Sequence, residues 1–323
     1  VTDLRPKPAT RPAVSGERPP IRPRTGLRAR LSRIDTAWSP YLFIAPFFVI
    51  FAIFGLFPLG YTAWVSLHDW DISGAGAFVG FGNYATLFAD PDFWNAVYNT
   101  IGMLVLATVP QLLFALVLAS LLNQKLRGLT FLRMGVLLPI VTSVAAVGIV
   151  FSQIFDRDAG VVNGLLGLVN IAPVDWRADK WSSWTAIATM VNWRWTGYNA
   201  LIYLAAMQSI PRDLYEAATV DGASKARQFW SITVPLIRPA IIFTVIVSTI
   251  AGMQLFTEPL IFGQGTFAIS GGSLRQFQTV SMYMFEKAFR DFDYGYGSAV
   301  AWMIFLLITV LAVINFLITR KGK

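Results

Sequence analysis

The sequence has no cysteine and a single histidine, His68. Without cysteine there is no disulfide framework, no thiolate metal site and no cysteine nucleophile, and composition is silent on redox compartment. One histidine removes most zinc sites and the usual imidazole general base. Charge is scarce as well: 14% of the 323 residues are charged against 55% hydrophobic, which leaves too little polar surface to cover soluble globules. No Gly-x-x-x-x-Gly-Lys-Ser/Thr phosphate loop occurs, so the chain does not hydrolyse ATP by the usual route. The net charge of +8 does not point to nucleic acid, because the basic residues cluster beside long apolar runs. That is the pattern of membrane orientation.

What is abundant is apolar runs long enough to cross a bilayer, for which about 20 residues are needed at about 1.5 Å of rise each. Six qualify: Tyr41 to Leu67, Tyr98 to Asn123, Met134 to Phe155, Trp184 to Gln208, Ala240 to Phe262 and Gly297 to Thr319. The runs are continuous rather than alternating, so the expected fold is an all-α integral membrane protein with six transmembrane helices, not a barrel. Residues 1–40 hold seven prolines and nine Lys or Arg with few large apolar residues, and read as a disordered basic cytoplasmic tail. The first apolar run is too long for a secretory signal and is expected to be retained. Residues 41–323 form the membrane domain.

Lys and Arg hold their connections on the cytoplasmic side. The tail, the turn near Arg133, the loop from Pro211 to Pro239 and the C-terminus carry nineteen between them. The three alternating connections carry six. Both termini are therefore expected on the cytoplasmic side.

The loop over 211–239 is polar, yet it is patterned like a helix. Pro211 suits a first helical position, Asp213 and Glu216 favour the positive end of a helix dipole, and Leu214, Ala217 and Ala218 recur on one face. Gly222 suits a left-handed closing residue, and Asp221 or Ser224 can cap a second helix running toward Trp230. Pro235 and Pro239 are expected to stop it. The small residues Ala217, Ala218, Gly222 and Ala223 permit close approach of a partner; an amphipathic interfacial linker is the plainer alternative.

Glu216-Ala217-Ala218, then Gly222, then Ile232-Thr233-Val234-Pro235 resembles the EAA loop of binding-protein-dependent ABC importer permeases, with Val234 where the family usually has Leu. The likeness covers nearly all of 41–323 and is nearest to the carbohydrate (maltose-type, disaccharide) branch. Phe78-Val79-Gly80-Phe81-Gly82-Asn83-Tyr84, Asp158-Ala159-Gly160-Val161-Val162-Asn163 and Trp193-Arg194-Trp195-Thr196-Gly197-Tyr198 carry it further. The resemblance implies the type I ABC importer permease fold and a transport subunit rather than an enzyme. It also implies a coupling role for Glu216, Ala217, Ala218, Asp221, Gly222, Ala223 and Pro235 against a separate cytoplasmic ATPase. That ATPase dimer would bind ATP and Mg; this chain is expected to hold no cofactor or metal. A second, homologous permease subunit and an extracytoplasmic solute-binding protein are the other implied partners. The sugar is not specified, and glycerol phosphate carriers share the branch.

Sugars are bound by aromatic faces together with amide and hydroxyl groups. Polar and aromatic residues inside the fourth and fifth runs therefore make a candidate substrate path: Trp195, Tyr198, Asn199, Gln254, Thr257 and Glu258. Asn192, Trp193 and Phe256 stand among them. Interfacial belts and helix-helix hydrogen bonding explain such residues equally well. Arg194 and Glu258 are ionisable residues within spans, at a cost of about 3 kcal/mol each on insertion scales. Either they pair, or Arg194 snorkels outward while Glu258 lies at the rim. An ion-coupled secondary transporter usually holds its ions with mid-membrane carboxylates or broken helices, and Glu258 is the only acidic candidate; the Asp71, Asp90 and Asp92 loop has no evident base or metal constellation for a membrane enzyme.

Overall fold

A computed structural model describes the backbone of residues 27–124 and 128–320 and the side chains of 38–124 and 128–317. Of the tail expected over 1–40, residues 1–26 lie outside the described residues, as do Lys125, Arg127, Lys321 and Lys323; helix α1 begins at Leu27. The chain divides into two compact units, one ending at Leu59 and one over Gly60–Lys323.

The first unit contains α1 (Leu27–Phe51) and a single π-helical turn, Ala52–Leu56, that leads into α2 (Phe57–Val65). The stretch Trp38–Val65 has none of its apolar window buried. In the second unit a short hairpin, β1 (His68–Asp71) paired antiparallel with β2 (Gly74–Phe78), precedes α3 (Gly82–Ala89). Helix α4 (Pro91–Leu122) follows, started by the Asp90 carboxylate accepting from the Asp92 amide at 2.9 Å. Its partner is α8 (Lys180–Gln208), capped in the same way by Asp179. These two helices pack along each other more extensively than any other pair.

Between them in sequence lie α5 (Leu129–Val141), α6 (Val144–Ile154) and α7 (Val161–Leu168). After α8 come α9 (Arg212–Val220), α10 (Lys225–Gln228), a π-helical turn over Phe229–Thr233, α11 (Val234–Leu236), α12 (Arg238–Met253) and α13 (Thr257–Gly263). The chain ends with α14 (Val280–Phe285), a π turn at Glu286–Arg290, and α15 (Tyr294–Arg320).

Among the described residues three helical stretches are long and apolar enough to cross a membrane: Trp38–Val65, Pro91–Leu122 and Tyr294–Leu317. Two bent pairs, Leu129–Val141 with Val144–Ile154 at 91° and Lys225–Leu236 with Arg238–Met253 at 66°, raise the number to as many as five. The remaining expected pass, α8, is 29 residues long and falls short on composition rather than length. It is a central helix, with Trp184, Met190, Tyr203 and Met207 buried among neighbours rather than facing lipid.

Two of the six expected spans are broken, which corrects their reading as continuous runs. The third stops where Thr142 and Ser143 turn extended (ψ 140° and 129°). Pro139 has already removed one rung of the ladder there, having no amide hydrogen to give. The fifth breaks at Gln254–Phe256, four residues before Pro259 would have had to bond the Leu255 carbonyl. That carbonyl instead accepts from the Thr279 hydroxyl at 2.7 Å. An interruption in apolar surroundings stands only when its freed groups find such partners.

Close backbone approach welds α5 to α8. A Cβ at Gly197 would fall on the Val136 carbonyl oxygen, so only glycine fits there.

Candidate functional site

A cavity of about 250 Å³ opens in the second unit where α4, α8 and the α12–α13 break converge. All six candidate path residues line it: Trp195, Tyr198 and Asn199 from α8, and Gln254, Thr257 and Glu258 from the break and α13. Phe256 lines it too, whereas Trp193 packs against Phe151 (ring centroids 5.6 Å apart) and Asn192 donates to the Ala188 carbonyl at 2.8 Å. Trp195 and Tyr198 stand edge to face, 6.1 Å between ring centroids. Asn199 is 4% exposed and its amide nitrogen has no hydrogen-bond partner. A buried donor left unpaired costs about 1–3 kcal/mol, so something must reward its retention.

Sequence reasoning missed the other half of the wall. Thr108 and Gln111 come from α4 and Ser248 from α12. Gln111 is 3% exposed and follows Pro110, inside an otherwise apolar run. A polar residue beside a proline at mid-span was the signal.

Of the two expectations for Arg194 and Glu258, the paired one holds: Arg194 Nη1 donates to Glu258 Oε1 at 2.6 Å, with both side chains nearly buried. The pair ties α8 to α13, and Glu258 faces the cavity while Arg194 stands behind it. Among the described residues no group of three or more His, Cys, Asp or Glu could hold a metal.

The loop between α13 and α14 is held by a buried carboxylate just beyond α14. Glu286 accepts from Arg275 (2.5 Å), Gln278 (2.6 Å), Ser270 (2.7 Å) and Arg290 (3.0 Å). Burial presses this carboxyl toward its neutral form, but the bonds from Ser270, Arg275 and Gln278 hold it below the usual carboxylate range. Nearby, Asp90 accepts from the hydroxyls of Tyr283 and Tyr296. Burial opposes its ionisation and those bonds outweigh burial, so its carboxyl also sits low. Burial first, then the Asp90 bond, pushes the Tyr283 hydroxyl well above its ordinary value.

The second candidate site is the segment from α9 to α11. Helix α9 starts at Arg212, one residue later than read from Pro211, and carries Asp213 in its first turn. It ends in a left-handed turn at Gly222 (φ +76°), where the Ala223 amide bonds the Ala218 carbonyl at 2.9 Å and the Gly222 amide bonds Thr219 at 3.0 Å. Ser224, not Asp221, caps α10 by accepting from the Arg227 amide. Pro235 does not stop the chain's helical course: it opens α11, and Pro239 stands in the first turn of α12. Tyr215 and Thr233 share a hydroxyl bond at 2.8 Å, and Gln228 bonds both Thr219 and the Ala223 carbonyl. These bonds fold the segment back on itself.

Glu216, Ala217, Asp221 and Gly222 are exposed, while Ala218 and Ala223 are half-buried. Ala218, Asp221, Ala223 and Arg227 border a second hollow of about 250 Å³. Val220 and Trp230 stand out beside it, 88% and 63% exposed.

Comparison with known proteins places this geometry. Residues 100–321 match the family model described as "binding-protein-dependent transport system inner membrane component". The chain is 37% identical over 290 residues to the lactose transport system permease protein LacF of Rhizobium radiobacter, covering 88% of this chain and 94% of that one. It is 34% identical to the sulfoquinovosyl glycerol transport system permease protein SmoG of Agrobacterium fabrum, over 82% of this chain and 85% of that one. A solved chain from a bacterial ABC transporter involved in the import of the acidic polysaccharide alginate superposes with a TM-score of 0.77 at 22% identity, covering 91% and 99% of the two chains.

Proposed function

Because the chain belongs to the family of inner membrane components of binding-protein-dependent transport systems, we propose that it is one permease subunit of an ATP-driven sugar importer, whose cavity is half of the translocation path. The observation that carries this is the cavity wall. Aromatic rings of Trp195, Tyr198 and Phe256 face amide and hydroxyl groups of Gln111, Asn199, Gln254 and Thr257 inside a helical membrane protein. That mixture of flat apolar faces and hydrogen-bonding groups suits a polyhydroxylated ring. The names of curated relatives, lactose and sulfoquinovosyl glycerol permeases among them, support the same substrate class.

Both termini and the α9–α11 segment face the cytoplasm in this reading, in keeping with the excess of Lys and Arg on those connections. A cytoplasmic ATPase dimer, which binds ATP and Mg, grips the segment at Glu216, Ala217, Ala218, Asp221, Gly222 and Ala223; Pro235 sets the course of the chain back toward α12. A second permease subunit completes the path, and an extracytoplasmic solute-binding protein delivers the sugar.

The test is uptake by the complete transporter in proteoliposomes, offered a panel of labelled sugars. ATP-dependent accumulation of at least one is the expected result, lost when the ATPase is omitted. Accumulation without any ATPase, or of none of the sugars, overturns the reading.

A further inference from the structure

Among the residues lining the cavity, Glu258 is the one that carries a formal charge at neutral pH, and Arg194 stands directly behind it at 2.6 Å. Every other lining group is apolar or a neutral amide, hydroxyl or aromatic ring. Arg194 and Glu258 are about a tenth exposed, so neither charge is relieved by bulk water. In such a setting one cation and one anion at hydrogen-bond distance cancel locally, and removing either leaves a strong uncompensated field at the cavity wall.

We propose that the Arg194–Glu258 pair is the charge filter of the cavity: intact, it limits the path to uncharged saccharides, and loss of the Glu258 carboxylate converts the same cavity to one that prefers acidic saccharides. This rests on the sugar-permease reading and adds to it the charge class of the substrate.

The order of the pair toward the cavity is what gives it this effect. The carboxylate is the nearer charge, and an incoming uronate or sulfonate would meet it before it met the guanidinium. Two like charges in a poorly hydrated space repel strongly, and the Arg194 donor is already engaged. A neutral sugar meets no such penalty and can use the aromatic rings and the unpaired Asn199 amide. Replacing Glu258 by Gln keeps the side-chain shape and one acceptor but strips the negative charge. The buried Arg194 cation then lacks a counterion, and an anionic ligand is the natural one to supply it. Arg194 also has an unpaired Nε, so its donor capacity exceeds what Glu258 takes.

The test is equilibrium binding to the assembled transporter in nanodiscs, without the solute-binding protein, so that selection by that protein does not intervene. Saturation-transfer NMR would follow lactose, maltose and the C6 uronate of each. Wild type should bind a neutral sugar and show at least about tenfold weaker binding of its uronate. In Glu258→Gln the ratio should move toward the uronate by about tenfold or more. An unchanged ratio in an assembled Glu258→Gln transporter, or equal binding of both forms by wild type, overturns the filter while leaving the permease reading intact. Wild-type binding of neither form overturns the sugar reading of the cavity itself. Should Glu258→Gln fail to assemble, the exchanged pair R194E/E258R carries the test, since it keeps the pair electrically balanced while turning the cation toward the cavity. The ratio should move toward the uronate there, and an unchanged neutral preference sinks the proposal.

Discussion

Two connectors between helices are built in opposite ways. The one between α13 and α14 turns inward: its Ser270, Arg275 and Gln278 all bond the buried Glu286 just beyond α14, and Arg275 also reaches Asp92 at 3.1 Å. The α9–α11 connector turns outward, with Glu216, Ala217 and Gly222 exposed and its own bonds reaching no further than Thr233. A loop that satisfies its charges internally is complete by itself. One that folds tightly yet leaves its small and acidic residues on the outside has the form of a surface awaiting another protein.

The comparison breaks most visibly at Glu286. Glu286→Gln takes the shared counterion from Arg275, which keeps Asp92, and from the half-exposed Arg290, and losing these charge-assisted bonds costs about 2–3 kcal/mol. Thermal unfolding of the detergent-solubilised protein should shift markedly downward, and an unshifted midpoint would contradict the buried network. Gly222→Val comes next. The left-handed backbone there penalises a β-branched residue by about 1–2 kcal/mol, yet nothing lies within 4 Å of the new Cβ. Membrane insertion should therefore survive, whereas co-purification of the ATPase and sugar uptake should fall at least tenfold; normal uptake would remove the outward connector from the mechanism.

Tyr215→Phe deletes the bond to Thr233 and should cost about 1 kcal/mol, read as faster amide exchange confined to α9–α11. The smallest effect is on acidity. The folded Glu286 carboxyl lies below its ordinary value, so its contribution is fully present above the unfolded value near 4.5 and is lost as pH falls through the lower, folded one. Acidifying from neutrality to about pH 5 should thus leave amide exchange in the α13–α14 connector unchanged, with loosening only at lower pH. Loosening already at pH 6 would contradict the sign of that shift.

The outward connector was the more legible of the two. Its helix start near Pro211, its break at Gly222 and its second turn from Ser224 are local events, encoded by residues a few positions apart. Most of the apolar passes were legible for the same reason: among the described residues, five of the six expected runs coincide with a helix or bent helix pair long and apolar enough to cross. Their breaks were not, because both halves of Met134–Phe155 and of Ala240–Phe262 are apolar and a hydropathy window has no sense of direction. Pro139 and Pro259 were the local hints. What makes the second break tolerable is Thr279, 24 residues beyond Leu255. The Arg194–Glu258 bond joins residues 64 apart, and sequence alone left it as one of two readings. The Glu286 cluster went unread because its members look like ordinary loop charges until the chain folds them inward. The cavity was half read: long polar and aromatic side chains on α8 drew notice, while Thr108, Gln111 and Ser248 did not.

Main chain touching main chain at Gly197 and Val136 has a mechanical meaning. Two rods whose main chains meet at one point can travel together, but neither can slide past the other there without jamming. α5 and α8 should therefore behave as one strut, with the articulation at Thr142–Ser143 and Gln254–Phe256. A covalent clamp between α5 and α8 should leave turnover as it was, whereas one that immobilises α13 against α8 should stall the cycle.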